Sequence, residues 1–244
     1  KLNTWEMKLH SFISFYFYEV KYILVYDLSF LKNFDGNISV ESIDMACLAN
    51  SLEKNVSQYL YSYKLLGNDG LEELNIEVSN RSVPHLLGLS KNHHFGLPTY
   101  YSTAIFEGLK DDWTLSNLKK SDEGWYSENK YKILGILFLY QILNLINCEA
   151  YTVKYVKEQK AKTRLKRDNI YFVIFKTDGS ISYALELSPI RENGNLYIPK
   201  SLRINDENIK YYAEIELQFI KRKRIKSPKI KNKVKWVNEK ESDI

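Results

Sequence analysis

The sequence predicts an α+β fold in which N-terminal helices pack on a mostly antiparallel sheet of about four to five strands. Three observations carry this. Apolar residues recur at helical spacing in the first half of the chain, they alternate in the second half, and Asp178-Gly179 stands between two β-prone runs as a tight-hairpin signal. Helices followed by hairpin-linked strands are the segregation of α+β rather than the alternation of α/β. The 244 residues, 44% hydrophobic and 27% charged, are enough to bury a core and are not the composition of a disordered chain.

Residues 1–41 are rich in Phe, Tyr and Ile without a clean period and read as an aromatic N-terminal extension. From Ile43 to Leu66, Leu48, Leu52, Val56, Tyr59, Tyr63 and Leu66 recur at steps of three and four, and Gly67 follows as a stop, which predicts an amphipathic helix. Leu74, Ile76 and Val78 alternate with Asn75 and Glu77 as in a half-buried strand. Ser90 to Gly96 is a polar loop, a helical region extends to about Lys120, and Asp122 to Asn129, with Gly124, reads as a turn. Lys130 to Asn147 predicts a long buried helix. Its apolar run from Ile133 to Ile146 spans 14 residues, short of the roughly 20 needed to cross a bilayer.

The later strands are Tyr151 to Lys157, Ile170 to Lys176, Ile181 to Leu187, and a last one in which Ile209, Tyr211, Ala213, Ile215, Leu217 and Phe219 share one face. The expected division is thus the extension 1–41, an α+β domain over 42–220, and a basic C-terminal tail over 221–244. Glu19, Lys21 and Asp27 interrupt the aromatic stretch near the N-terminus, so no stable membrane span is expected. Cys47 and Cys148 stand in apolar surroundings without zinc-ligand spacing and read as reduced core thiols, which points to a cytoplasmic protein.

Charge is unevenly placed. Lys221 to Lys240 holds ten Lys or Arg and one acid, a local +9 against +5 for the whole chain. In a second run, Lys154, Lys157, Lys160, Lys162, Arg164, Lys166 and Arg167 are met by the single acid Glu158. Two such runs suit a polyanion, most naturally RNA, because each cation on a phosphate releases condensed counterions. With them we group Lys221, Arg222, Lys223 and Arg224 as RNA contacts. Solvated loops, or a surface for anionic lipid, fit the same runs.

His85, followed by Lys91, His93 and His94, is the segment best suited to proton transfer, since histidine titrates nearest neutral pH and a lysine stabilises developing negative charge. His85 equally suits packing at an element end, and His93 and His94 a solvated loop. No HExxH pattern or aspartate-rich motif accompanies them, so no metal and no cofactor is expected. A phosphate-binding Gly-rich loop, a nucleophile elbow and a Rossmann fingerprint are all absent, against nucleotide hydrolysis and hydride transfer.

The order Tyr61-Ser62-Tyr63-Lys64, Leu74-Asn75-Ile76-Glu77-Val78, then Val83-Pro84-His85-Leu86-Leu87-Gly88-Leu89 resembles the phage-associated nucleases of the barnase, EndoU, colicin and RelE-like superfamily, and the fourth family of that phage set in particular. The resemblance covers about residues 43–204, and its most specific part is His85-Leu86-Leu87-Gly88-Leu89. It implies that superfamily's fold and a metal-independent endoribonuclease, a toxin or phage-conflict effector whose partners are RNA and an antitoxin or immunity protein. His85 matches the motif as general base or acid. Ser188, before Pro189, resembles the polar residue that closes the family's sheet. Lys162 and Arg164 are assigned to phosphate stabilisation from the local charge pattern. The alternatives are a non-catalytic nucleic-acid-binding protein and a membrane-peripheral scaffold.

Overall fold

Asp27 and Asp44 open the first two helices in the same way, each carboxylate accepting the backbone N–H three residues on. The structure, a computed structural model, describes residues 26–66, 73–90, 97, 101–153, 169–175, 179–192 and 194–225. The two helices are α1 (Leu28–Asn33) and α2 (Met45–Asn55). The helix expected to run to Leu66 ends at Asn55. Gln58 takes a φ of 62° and turns the chain into strand β1 (Tyr59–Leu66). A step of four places residues on one face of a helix and equally on one face of a strand. Tyr59 and Tyr63 therefore fit both, and the β-preferring tyrosines follow the strand.

Leu74, Ile76 and Val78 bury one face of β2 (Glu73–Val78), as the alternation requires. Five helices follow before the next strand: α3 (Ser82–Leu86), α4 (Ser102–Asp111), α5 (Leu115–Ser121), α6 (Glu123–Leu137) and α7 (Leu139–Leu143). The expected turn over Asp122 to Asn129 is the beginning of α6. Asp122 accepts from the Trp125 amide as its cap, and Gly124 falls in the first turn. Every residue from Ile133 to Leu143 is buried, the outcome expected of an apolar run too short to span a membrane. Among the described residues no helix is long and apolar enough to cross one.

The remaining strands are β3 (Cys148–Thr152), β4 (Ile170–Phe175), β5 (Ser182–Pro189), β6 (Leu196–Ile204) and β7 (Ala213–Arg224). Their arrangement corrects the expected fold class. The seven strands close into a barrel in the order β1-β2-β6-β5-β4-β3-β7, with β7 pairing back to β1. It is not an open sheet of four or five strands with N-terminal helices, and the superfamily fold implied by the resemblance is overturned with it. All neighbours run antiparallel except β2 and β6, joined in parallel at Asn75–Leu196 and Ile76–Tyr197. Two strands that escape simple periodicity close the ring. One is β1, and the other is β6, where Pro199 and a register shift opposite Glu186–Leu187 break the alternation.

The buried helix packs on inward-facing barrel residues. A Cβ at Gly135 would lie 2.7 Å from Tyr183 and 2.8 Å from Leu202, so only glycine allows this approach. Phe138 continues the contact, its ring centroid 5.0 Å from Tyr183 and 4.7 Å from Phe34. Tyr63 donates to the Leu143 carbonyl at 2.6 Å and satisfies the end of α7. Gln141 donates to the carbonyls of Phe34 and Leu31 at 2.7 and 3.2 Å, tying the N-terminal segment to the same helix.

Strand β4 is covered on both faces. Ile170, Phe172 and Ile174 join the main core, while Tyr171 and Val173 join a second cluster with Val153, Ala184 and Tyr212. The connection between β6 and β7 makes this second layer. Glu207–Tyr211, expected as the opening of the last strand, is a 3-10 helix that carries Tyr212 over the sheet. The strand itself begins at Ala213 and runs through Lys221–Arg224.

Candidate functional site

A carboxylate in the middle of an apolar strand organises the outer face of the sheet. Glu186 on β5 is 2% exposed and accepts from Arg203 Nε and Nη2 on β6 at 2.9 and 2.7 Å through one oxygen. Its other oxygen accepts from Asn169 Nδ2 at 2.6 Å and Lys200 Nζ at 3.3 Å. Arg203 also donates to Asp206 at 3.1 Å. A buried charge persists only when paired in this way, because transfer from water to the interior is otherwise too costly.

Ser188 belongs to this network. Its hydroxyl donates to Asn169 Oδ1 at 2.6 Å, so its single proton is committed while its lone pairs remain able to accept. Tyr171 lies beneath the Arg203 guanidinium, 5.7 Å from its ring centroid, and stacks on Tyr212 at 4.9 Å. Burial raises the pKa of both phenols, that of Tyr212 to about 12, and Glu186 adds to the rise at Tyr171. Both therefore stay protonated at neutral pH.

Val153, which follows β3, donates its amide to the Asn169 carbonyl at 3.5 Å, so the described residues on either side of the basic run meet at this network. Lys154, Lys157, Lys160, Lys162, Arg164, Lys166 and Arg167 themselves lie outside the described residues, as do Lys91, His93 and His94.

His85 occupies the last turn of α3, partly exposed, and α3 packs against β6, the strand that also faces Ser188 through Ile198. The rest of its motif has packing reasons. Leu86, Leu87 and Leu89 are buried in the core. Gly88 has a φ of +79°, and a Cβ there would lie 2.9 Å from Asn129 Oδ1. Trp125 Nε1 donates to the Leu87 carbonyl at 2.9 Å.

At the far side of the barrel, Lys221–Arg224 extend β7 alongside β1. Arg222 Nη1 donates to the Asn55 carbonyl at 2.6 Å, at the end of α2, where a cation also meets the negative end of the helix dipole. The guanidinium lies 4.7 Å from the Tyr59 centroid and 5.5 Å from that of Tyr140. Lys221, Lys223 and Arg224 are exposed.

Among the described residues no group of three or more His, Cys, Asp or Glu could hold a metal. Sequence reasoning selected Ser188 but missed Glu186, Asn169, Lys200 and Arg203. The available signal was a lone acid inside Ala184-Leu185-Glu186-Leu187 and a lone base inside Leu202-Arg203-Ile204, each flanked by core residues. No protein-family model, curated protein or solved structure matches the chain.

Proposed function

We propose that the protein acts on RNA, gripping it with its basic segments and cleaving it without a metal, with His85 as the proton-transfer group. What supports the reading above all is the placement of cations and of the residues that flank the basic run: Val153 and Asn169 meet beside Ser188, and Lys221, Lys223 and Arg224 are exposed on β7, while His85 stands partly exposed on α3. In such a reaction a base takes the ribose 2′-OH proton, that oxygen attacks the adjacent phosphorus, and the bond to the 5′ oxygen breaks as an acid protonates it, leaving a cyclic phosphate and a 5′ hydroxyl. Cations nearby, Lys162 and Arg164 in this reading, stabilise the charge on the pentacoordinate phosphate. The superfamily fold plays no part in the support. An antitoxin or immunity protein as a partner belongs to the same proposal.

A specific observation favours a second reading, RNA binding without cleavage. Ser188, Glu186 and Arg203 are engaged in internal hydrogen bonds that account for them structurally. The two readings part on one experiment: total RNA incubated with the purified protein in excess chelator, beside a His85→Ala variant whose fold is checked by circular dichroism. Cleavage that falls about 100-fold or more in the variant, the usual scale for loss of a general acid or base, supports the nuclease. Intact RNA in both lanes, with RNA retained on the protein, leaves the binding protein. Intact RNA with no retention overturns both.

A further inference from the structure

The four cations at the end of β7 are adjacent in sequence but not equivalent in space. Among the described residues β7 pairs with β3 over Ala213–Ile215, and beyond that its one strand partner is β1. Along that pairing Phe219 faces Tyr63 while Lys221 faces Ser62, which leaves Ile220 as an extra residue. One inserted residue reverses the side taken by everything after it. Before the slip the odd-numbered Ile215, Leu217 and Phe219 pack against the core. After it, Arg222 and Arg224 stand opposite Tyr61 and Tyr59 on the inner side, and Lys221 and Lys223 stand opposite Ser62 and Leu60 on the outer side.

Arg222 and the two lysines then meet different surroundings, while Arg224, at the end of the inner row, is exposed. Arg222 is held by the Asn55 carbonyl and the rings of Tyr59 and Tyr140. Lys221 and Lys223 are exposed and have Ser62 and Leu60 as cross-strand neighbours, whereas Lys64, farther along β1, has Glu73 opposite it. Ile220, 50% exposed, precedes Lys221 at the slip, and the partly exposed Leu60 faces Lys223 on one side and Glu77 on the other. Same-face residues on a strand recur about every 6.8 Å, so the outer row is a short straight line of positive charge with apolar surface alongside.

We infer that this outer strip holds single-stranded RNA, with Lys221 and Lys223 on phosphates and Ile220 and Leu60 against base faces, and that Arg222 is a positioning residue that fixes β7 to α2. The inference rests on the RNA reading above and sharpens it: of the adjacent basic residues, the lysines contact RNA and Arg222 does not. A rival role for edge lysines is to prevent strand-to-strand association.

The test titrates the full chain with a labelled single-stranded oligouridylate at several salt concentrations, and repeats it with duplex RNA and with polyglutamate. Lys221→Ala/Lys223→Ala is expected to lower the slope of log affinity against log salt by about 1.4, at roughly 0.7 per single-strand phosphate contact. Its melting temperature stays that of the wild type. Lys221→Gln/Lys223→Gln, with longer side chains, should do the same. Arg222→Ala is expected to keep most of the slope and to melt about 2–6 °C lower, and Arg222→Lys not to recover the loss. Wild-type binding with an unchanged slope in both lysine variants overturns the strip while the RNA reading stands, and self-association of those variants would assign the lysines to edge protection. No binding by the wild type overturns the RNA reading itself. Equal affinity for duplex RNA or polyglutamate overturns the single-strand assignment.

Discussion

Glu186 and Glu53 organise two networks of the same chemical parts in different solvents. Glu186 gathers Arg203, Lys200 and Asn169 on the outer face of the sheet with its side chain 2% exposed. Glu53, on α2, gathers Lys110 at 2.6 Å, Asn80 at 2.7 Å and Gln58 at 2.9 Å, with its side chain 24% exposed. Each joins elements that are distant in the chain: β5 to β6 and the start of β4 in the first case, α2 to α4 and the turn after β2 in the second. What differs is who takes over when a partner is removed. Water can solvate Glu53 in place of Lys110, but it has little access to Glu186.

The widest separation between the two should come from deleting the cations. Arg203→Ala leaves Glu186 buried with only Lys200 and Asn169, and is expected to cost about 3–5 kcal/mol in denaturant unfolding. A loss below about 1 kcal/mol would put the two networks on one footing. The double change Glu186→Leu/Arg203→Met should recover most of that loss, because an apolar pair of similar volume escapes the desolvation penalty.

Asn169→Ala comes next, at about 1–3 kcal/mol, since it removes the partner of the Ser188 hydroxyl and one of two donors to a buried carboxylate oxygen. A double-mutant cycle with Ser188→Ala checks the coupling and should show that the two losses do not add. Lys110→Ala is expected to cost no more than about 1 kcal/mol, its side chain being 21% exposed.

The smallest effect concerns pH. Burial raises the Glu53 pKa, but hydrogen bonds from Lys110 and Asn80 and the attraction of Lys110 outweigh it, so the folded value lies below the ordinary one. The folded state therefore binds the proton less readily than the unfolded state. Glu53's contribution to stability is present above the unfolded carboxylate pKa and is lost as pH falls through the folded one. Glu53→Gln should flatten the acid limb of the stability profile. An unchanged limb would mean that Lys110 does not hold the charge.

How much was legible follows from the range of each signal. The buried stretch could be read from the apolar run beginning at Ile133, although it is two helices, α6 and α7, that meet at Phe138 and end at Leu143, and β2 could be read from three alternating residues, because both patterns close within a few neighbours. Hairpin partners β4 and β5 were legible for the same reason. Strand β1 was not, since Tyr59 and Tyr63 satisfy two periods, and β6 was not, since Pro199 and a bulge break its period. In the network, Ser188 was singled out for another role, by a family resemblance, and its partners were not singled out at all. Asn169, Glu186, Lys200 and Arg203 come from three stretches of chain and become one network only when β4, β5 and β6 align.

The sequence by itself determined the apolar face of β2, the buried run that begins at Ile133, and that two runs of the chain are strongly basic. These depend on residues a few positions apart, within reach of local sterics and hydrogen bonds. Only the tertiary structure decided that the sheet closes into a barrel, that Glu186 is buried among partners, and which cations at the end of β7 turn outward. The physical reason is that register is set by pairing between distant strands. A single extra residue at Ile220 is enough to send Arg222 to Asn55 and Lys221 to solvent.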